Sequence, residues 1–179
     1  MMVLSTKLGL RSAQADITAA FVHAKLGPDE HIFVHQPAGF QRGHNLVLSL
    51  NRSIYGLRQV PRYFFQHLKC NMEHHGLKQS SLDPCLFIGK SVISLCYVDD
   101  ILFYACEDLH IDDIIHLLKQ DGIMIRKEGS AEGFLGVVVK LLGMPSAPCL
   151  LLTQTGLTKR IVGALGLCSS FSTAAATPA

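Results

Sequence analysis

The chain has 179 residues, 49% of them apolar and 17% charged, which excludes a disordered polymer and leaves room for a real hydrophobic core. A formal charge of +2, with nine histidines neutral, permits nucleic-acid binding without arguing for it. A mean hydropathy of +0.30 is high for a soluble protein and points to buried faces, or to surfaces that other segments normally cover. No apolar run reaches the ~18 residues of a membrane span, and the N-terminus lacks the charged and long apolar regions of a signal peptide. The six cysteines form no C-x-x-C pair, and several sit in apolar runs as small hydrophobes. The expectation is a reduced, intracellular protein of the cytoplasm or nucleus, with no membrane partner.

Residues 1–11 are weakly patterned and read as the end of a preceding helix. Ser12 to His23 is small and apolar around one acid, Asp16, and reads as a strand running into a turn or short helix near Thr18. Taken alone, Asp16 suits a helix N-cap, where its carboxylate accepts orphan N–H groups. His31 to Gln36 and Leu46 to Leu50 alternate as strands, joined as a hairpin through the polar loop 41–45. A polar loop from Arg52 leads into a helix with Pro61 in its first turn, a buried stripe of Phe64, Phe65, Leu68 and Met72, and a stop at Gly76. His67, Cys70 and His74 share one face of that helix, but no fourth ligand stands at a telling spacing, so they are not read as a zinc site. Asp83 before Pro84 is expected to accept a local turn hydrogen bond.

Next come strands over Cys85 to Ile88, Val92 to Val98 and Ile101 to Ala105, which predict a three-strand meander. Asp108 to Gln120 is an amphipathic helix burying Ile111, Ile114, Ile115 and Leu118, with Asp112 and Asp113 solvated on its other face. Strands over Ile123 to Arg126, Phe134 to Leu142 and Leu150 to Leu152 precede a last helix from Leu157 to Leu167. The tail 168–179 is small and polar and is expected to be disordered. No repeat or linker divides the chain, so a single domain is expected.

The pair Asp99-Asp100 interrupts an apolar run, and buried carboxylates must be paired or bound to metal. One reading is a plain type I′ hairpin turn, where aspartate tolerates positive φ. The other joins the pair to Asp16 at one sheet edge as a hard-oxygen cage for a divalent cation. The pair alone does not decide between them.

The flanking motifs do. Asp16 to Phe21, Gln36 to Phe40, Ser53 to Arg62, Asp83 to Phe87 and Tyr97 to Leu102 stand in the order and spacing of the reverse transcriptases of Ty1/copia-type LTR retrotransposons, which the chain resembles along nearly its whole length. The resemblance implies an α+β fold: a polymerase palm, with a ferredoxin-like antiparallel sheet and helices on one face, plus the start of a thumb. It implies RNA-directed DNA synthesis, with Asp16, Asp99 and Asp100 as catalytic metal ligands beside the carbonyl of Ile17. The cofactor is then a pair of Mg²⁺ ions, or Mn²⁺. Phe21 resembles the aromatic that excludes a ribose 2′-OH. Tyr55, Gly56 and Gln59 resemble the loop that meets the incoming nucleotide and template base, and Arg58 and Arg62 are candidate phosphate contacts.

Implied partners are an RNA or DNA primer–template, dNTPs, and the fingers, RNase H and integrase segments of a retroelement polyprotein in a virus-like particle. Segments 1–11 and about 143–167 would be the remnant of the preceding segment and the connection to the thumb. Two departures bear on activity. Phe64 stands where the family usually has tryptophan, and the chain starts just before Asp16, with the basic fingers mostly missing. The expectation is therefore weak or absent activity alone, with a catalytically inactive relic that at most binds nucleic acid as the alternative. A nucleotide cyclase, which also carries an acid pair on a hairpin, is disfavoured by the Tyr55 to Pro61 loop.

Overall fold

Small apolar residues alternate with polar ones along Arg11–Ile17, so this strand buries one side and leaves the other side polar. The computed structural model describes residues 1–27, 29–43, 46–129, 133–142 and 149–167. In chain order its elements are α1 (Met2–Lys7), β1 (Arg11–Ile17), α2 (Ala20–His23), β2 (Phe33–His35), β3 (Val47–Ser49), α3 (Val60–His74), β4 (Lys78–Gln79), β5 (Leu86–Ile88), β6 (Val92–Tyr97) and β7 (Asp100–Ala105). There follow α4 (Asp108–Gln120), β8 (Ile125–Gly129), β9 (Gly133–Phe134), β10 (Val137–Leu142), β11 (Cys149–Thr153) and α5 (Thr155–Ala164). The expected tail 168–179, and residues 143–148 of the expected connection, lie outside the described residues. The architecture is mixed α+β, and the chain divides into two compact units, Gly9–Ser130 and Met1–Leu8 with Ala131–Ala179.

The first unit holds a six-stranded antiparallel sheet in the order β4-β5-β6-β7-β1-β8. The meander β5-β6-β7 forms as its alternation predicts. The first strand of the unit then inserts between β7 and β8, far along the sequence. Ala13, Ala15 and Ile17 of β1, Ile101, Phe103 and Ala105 of β7, and Val92 and Cys96 of β6 point to one face. There they meet Phe64, Leu68 and Met72 of α3 and Ile111, Ile114, Ile115 and Leu118 of α4 in one buried cluster. The small side chains of Ala13 and Ala15 fit under this helix layer without displacing the aromatic residues beside them. Desolvation pushes the Cys96 thiol up to about 12, which makes it an inert part of the core. The five cysteines among the described residues are all free.

Helix α4 buries the four residues expected of it, and α3 buries Phe64, Leu68 and Met72 while Phe65 of the expected stripe is only half-buried. Pro61 lies in the first turn of α3, and Gly76 follows it at φ +82°, a left-handed position that glycine takes without strain. The C-cap residues of the two helices, His75 and Asp121, bond at 2.6 Å and tie the helix ends together. Asp83 accepts from the backbone N–H of Cys85 at 2.9 Å, as its turn requires. Asp112 and Asp113 are exposed, and Asp112 pairs with Lys127 at 2.6 Å. The hairpin of β2 and β3 forms a separate two-stranded sheet.

In the second unit the expected single strand from Phe134 to Leu142 is instead a hairpin. Leu135 and Gly136 both take positive φ (51° and 76°), so β9 turns tightly into β10 before β11 pairs on the other side. A two-residue turn with both φ values positive matches strand twist, which is why it breaks an otherwise continuous apolar run. The last helix starts two residues earlier than expected, at Thr155, and buries none of its residues.

Leu68 is fully buried between helix and sheet, whereas Leu82 is 94% exposed. Leu68→Ala should cost about 2–5 kcal/mol of unfolding free energy in urea titrations. Leu82→Ala should stay within about 0.5 kcal/mol.

Candidate active site

Because β1 and β7 are antiparallel neighbours, Asp16 lies directly across from Asp100. Their side chains share the sheet face opposite the helices, since Ala15 and Ile101, one step along, point into the core. Directly opposed residues have Cβ atoms about 4.5–5.5 Å apart, so a rotamer change can bring both carboxylates to one cation. Asp99 sits in the two-residue turn between β6 and β7, with Tyr97 paired to Asp100 at its base. The carbonyl of Asp99 accepts the N–H of Ile17 at 2.9 Å, which ties the turn to the end of β1. The acids predicted from two distant stretches thus meet at one end of the sheet. Asp16 is a strand residue and not a helix N-cap: the N-cap of α2 is Ala19, in a left-handed conformation.

The turn differs from the type I′ expectation. Positive φ falls on Val98 (57°), and Asp99 is not among the residues with positive φ. A β-branched residue there costs on the order of 1–3 kcal/mol and persists only where its surroundings impose it. Here Tyr97 and Asp100 are paired on either side, and β1 holds the Asp99 carbonyl.

Four carboxyl groups, those of Asp16, Asp99, Asp100 and Glu128, crowd this end. The Asp100 carboxyl is raised above the usual carboxylate range, first by desolvation, then by the charges of Asp99, Asp16 and Glu128; a hydrogen bond from Gln14 opposes the rise. Arg126 of β8 lies directly opposite Asp16 and pairs with Glu128 at 3.1 Å. Gln14 and the Arg126–Glu128 pair were not foreseen. Gln14 was findable, since it lies two residues before Asp16 and so on the same face. Arg126 and Glu128 depend on β8 pairing with β1, which no local pattern announces.

Among the described residues no group of three or more His, Cys, Asp and Glu side chains is gathered tightly enough to hold an ion as it stands. The donor chemistry nonetheless fits a hard divalent cation, because all the oxygens are carboxylate and their mutual repulsion is what a cation relieves. His67, Cys70 and His74 form no such group either.

A second cluster holds the aromatic residues. Phe21 on α2 packs its ring 4.9 Å from Tyr55 and 6.0 Å, edge-on, from Phe64 of α3. Phe64, which replaces the expected tryptophan, is buried and keeps an aromatic contact. The hydroxyl of buried Ser53 bonds the carbonyls of Phe21 and Ala24, the latter at 3.1 Å, so the loop before α3 is tied to α2. Gly56 takes φ +97°, which only glycine adopts easily, and turns the chain after Tyr55. Gln59 is the N-cap residue of α3. Arg58 and Arg62 are exposed, and no carboxylate among the described residues pairs with them.

The reverse transcriptase (RNA-dependent DNA polymerase) family matches residues 1–178, and the chain belongs to it. It is of the kind found in the Pol polyproteins of copia-type retrotransposons. It is 29% identical over 153 residues to the retrovirus-related Pol polyprotein from transposon TNT 1-94 of Nicotiana tabacum, a match covering 79% of this chain and 10% of that protein. Over 133 residues it is 31% identical to the corresponding polyprotein from transposon RE1 of Arabidopsis thaliana, covering 71% of this chain and 9% of the relative. Transposon RE2 of the same plant gives 30% over 133 residues, with the same shares. The chain thus spans about a tenth of the length of these relatives. Among the described residues no helix is long and apolar enough to cross a membrane.

The raised Asp100 carboxyl has a consequence for stability. Its folded pKa exceeds the unfolded value, so the native state is penalised as pH rises from the ordinary carboxylate range through the raised value. Without divalent ions, Asp100→Asn should therefore be more stable than wild type at neutral pH. The gap should close below about pH 4, as thermal melts across pH would record.

Proposed function

We propose that this chain is the palm of a copia-type reverse transcriptase with the start of its thumb, and that it extends a primer 3′-OH with dNTPs on an RNA or DNA template. The observation that carries the reading is the register pairing of Asp16 with Asp100, with Asp99 held beside them. Asp16, Asp99 and Asp100 would hold two Mg²⁺ ions, or Mn²⁺, with the carbonyl of Ile17 as a further oxygen. Bound there, the cations lower the pKa of the attacking hydroxyl and neutralise the leaving pyrophosphate.

The chain's own part is positioning, which is most of what a phosphoryl-transfer enzyme supplies. One bond forms, from the primer 3′ oxygen to the α-phosphorus, and the bond to pyrophosphate breaks. The carboxylates fix where the triphosphate and the primer terminus meet. Phe21, braced by Tyr55 and Phe64, presents a rigid ring against the sugar, so a ribose 2′-OH would collide with it. Tyr55, Gly56 and Gln59 form the wall toward the base, and Arg58 and Arg62 are free to meet phosphates with two parallel N–H donors. The implied fingers, RNase H and integrase segments of a polyprotein would be neighbours in the assembled element. The apolar residues that α5 leaves exposed, among them Leu157, Ile161 and Val162, support such a covered surface.

Primer extension on a primed RNA template with Mg²⁺ and dNTPs tests the reading. Asp16→Ala and Asp99→Ala should each lower the rate at least about a hundredfold. Extension by Asp99→Ala at the wild-type rate would remove that residue from the site. Salt-dependent binding of primer–template with no extension at any metal concentration would favour the inactive relic. In the same assay Phe21→Ala should raise ribonucleotide incorporation relative to deoxynucleotide.

A further inference from the structure

On the helix-covered side of the sheet, away from the carboxylates, lies a second pocket of about 560 Å³. His23 and Lys25 at the end of α2, Arg52 of the loop before α3, Tyr63 and His67 on one face of α3, and Asp121 at the end of α4 line it. We propose that this pocket is a binding site for a phosphate-bearing anion, held by Lys25 and Arg52 with His67 at its wall.

The placement of the two cations carries the inference. Lys25 and Arg52 face each other across an antiparallel β-bridge. Like charges directly opposite one another are destabilising. Their backbones cannot move apart freely, because the chain is pinned beside both. The N–H of Ser53 donates to the carbonyl of Ala24 at 3.2 Å, and the buried Ser53 hydroxyl bonds the same carbonyl. Among the described residues no carboxylate pairs with Lys25 or Arg52. The one acid lining the pocket, Asp121, is bonded to His75 at 2.6 Å. A pair of cations carried on pinned backbone at a concavity, with the one acid of its lining engaged elsewhere, is an arrangement that an anion completes.

His67 reports on the same field. Its pKa is lowered first by burial, then by the charges of His23 and Arg52, with Asp121 opposing. The remaining titratable group facing the pocket, Tyr63, has its hydroxyl pKa raised by a hydrogen bond with Glu30. An anion beside His67 favours the charged imidazolium, so its titration midpoint should move up on binding. The volume suits a small phosphate compound better than a bare ion, and the Tyr63 and His67 side chains offer ring surface beside the cations. Guanidinium and ammonium together match phosphate by fork and by point charge.

This site does not depend on the polymerase reading, since Asp16 and Asp100 occupy the other face of the sheet. The test uses the full chain in EDTA, with pyrophosphate as the probe and the histidine ring resonances as the readout. Saturable binding with an upward shift of the His67 midpoint is expected. Lys25→Gln and Arg52→Gln should each weaken it about tenfold while leaving the thermal melt near wild type, because both side chains are exposed. Asp99→Ala should leave it unchanged. Absence of saturable binding, binding that survives both charge removals, or binding lost in Asp99→Ala would each overturn the proposal. A short single-stranded oligonucleotide that displaces pyrophosphate would assign the phosphate to a nucleic-acid backbone; failure to displace it would assign a free phosphate compound.

Discussion

The register of β1 against β7 is the constraint on which the site depends. Side chains alternate strictly along a strand, so a slip of one residue would move Asp16 into the core and Ala15 and Ile17 to the surface. Burial of Ala13, Ala15 and Ile17 under α3 and α4 resists that slip. Hydrophobic burial on one face therefore positions carboxylates on the other. The acids need no attraction for each other to meet, and they repel: Asp100 is held above the ordinary carboxylate range first by desolvation and then by the charges of Asp99 and Asp16.

That separation of roles explains what could be read from the sequence. The helices α3 and α4 were legible, Phe65 of the α3 stripe excepted, because each has an apolar stripe at helical spacing and a glycine at its end. The meander was legible from alternation and short turns. The convergence of Asp16 with Asp99 and Asp100 was legible only as a condition, namely that two strands more than eighty residues apart are neighbours. Nothing local specifies the order that places β1 between β7 and β8. Arg126 and Glu128, which depend on that order, were invisible for the same reason.

Two turns were misread because composition hid their backbone. Val98 is β-branched and Leu135 is bulky, and neither type normally takes positive φ. At Leu135 the only signal was the following Gly136, inside an apolar run that reads as one strand. At Val98 the neighbouring aspartates drew the expectation of positive φ to themselves. In both places the pairing of flanking strands outweighs the local preference, Phe134 with Val137 in one and Tyr97 with Asp100 in the other. The strain at Val98 lies next to the carboxylates of Asp99 and Asp100.

The helix layer adds a second consequence. Ser53 ties the loop before α3 to α2, and through it Phe21, Tyr55 and Phe64 become one aromatic group. The same tie holds Lys25 against Arg52. One buried serine, through its hydroxyl and its N–H, thus ties the aromatic group and the like-charged pair to the same loop. Removing it would leave the carbonyls of Phe21 and Ala24 without that donor, and would loosen both groups together. The carboxylates would feel it less, because their register is held by the sheet core and by the bond from Ile17 to Asp99. The carboxylates and the groups tied by Ser53 therefore rest on different supports. The acids are held by the packing of the sheet under its helices, and the aromatic and cationic groups by a polar tie between loops.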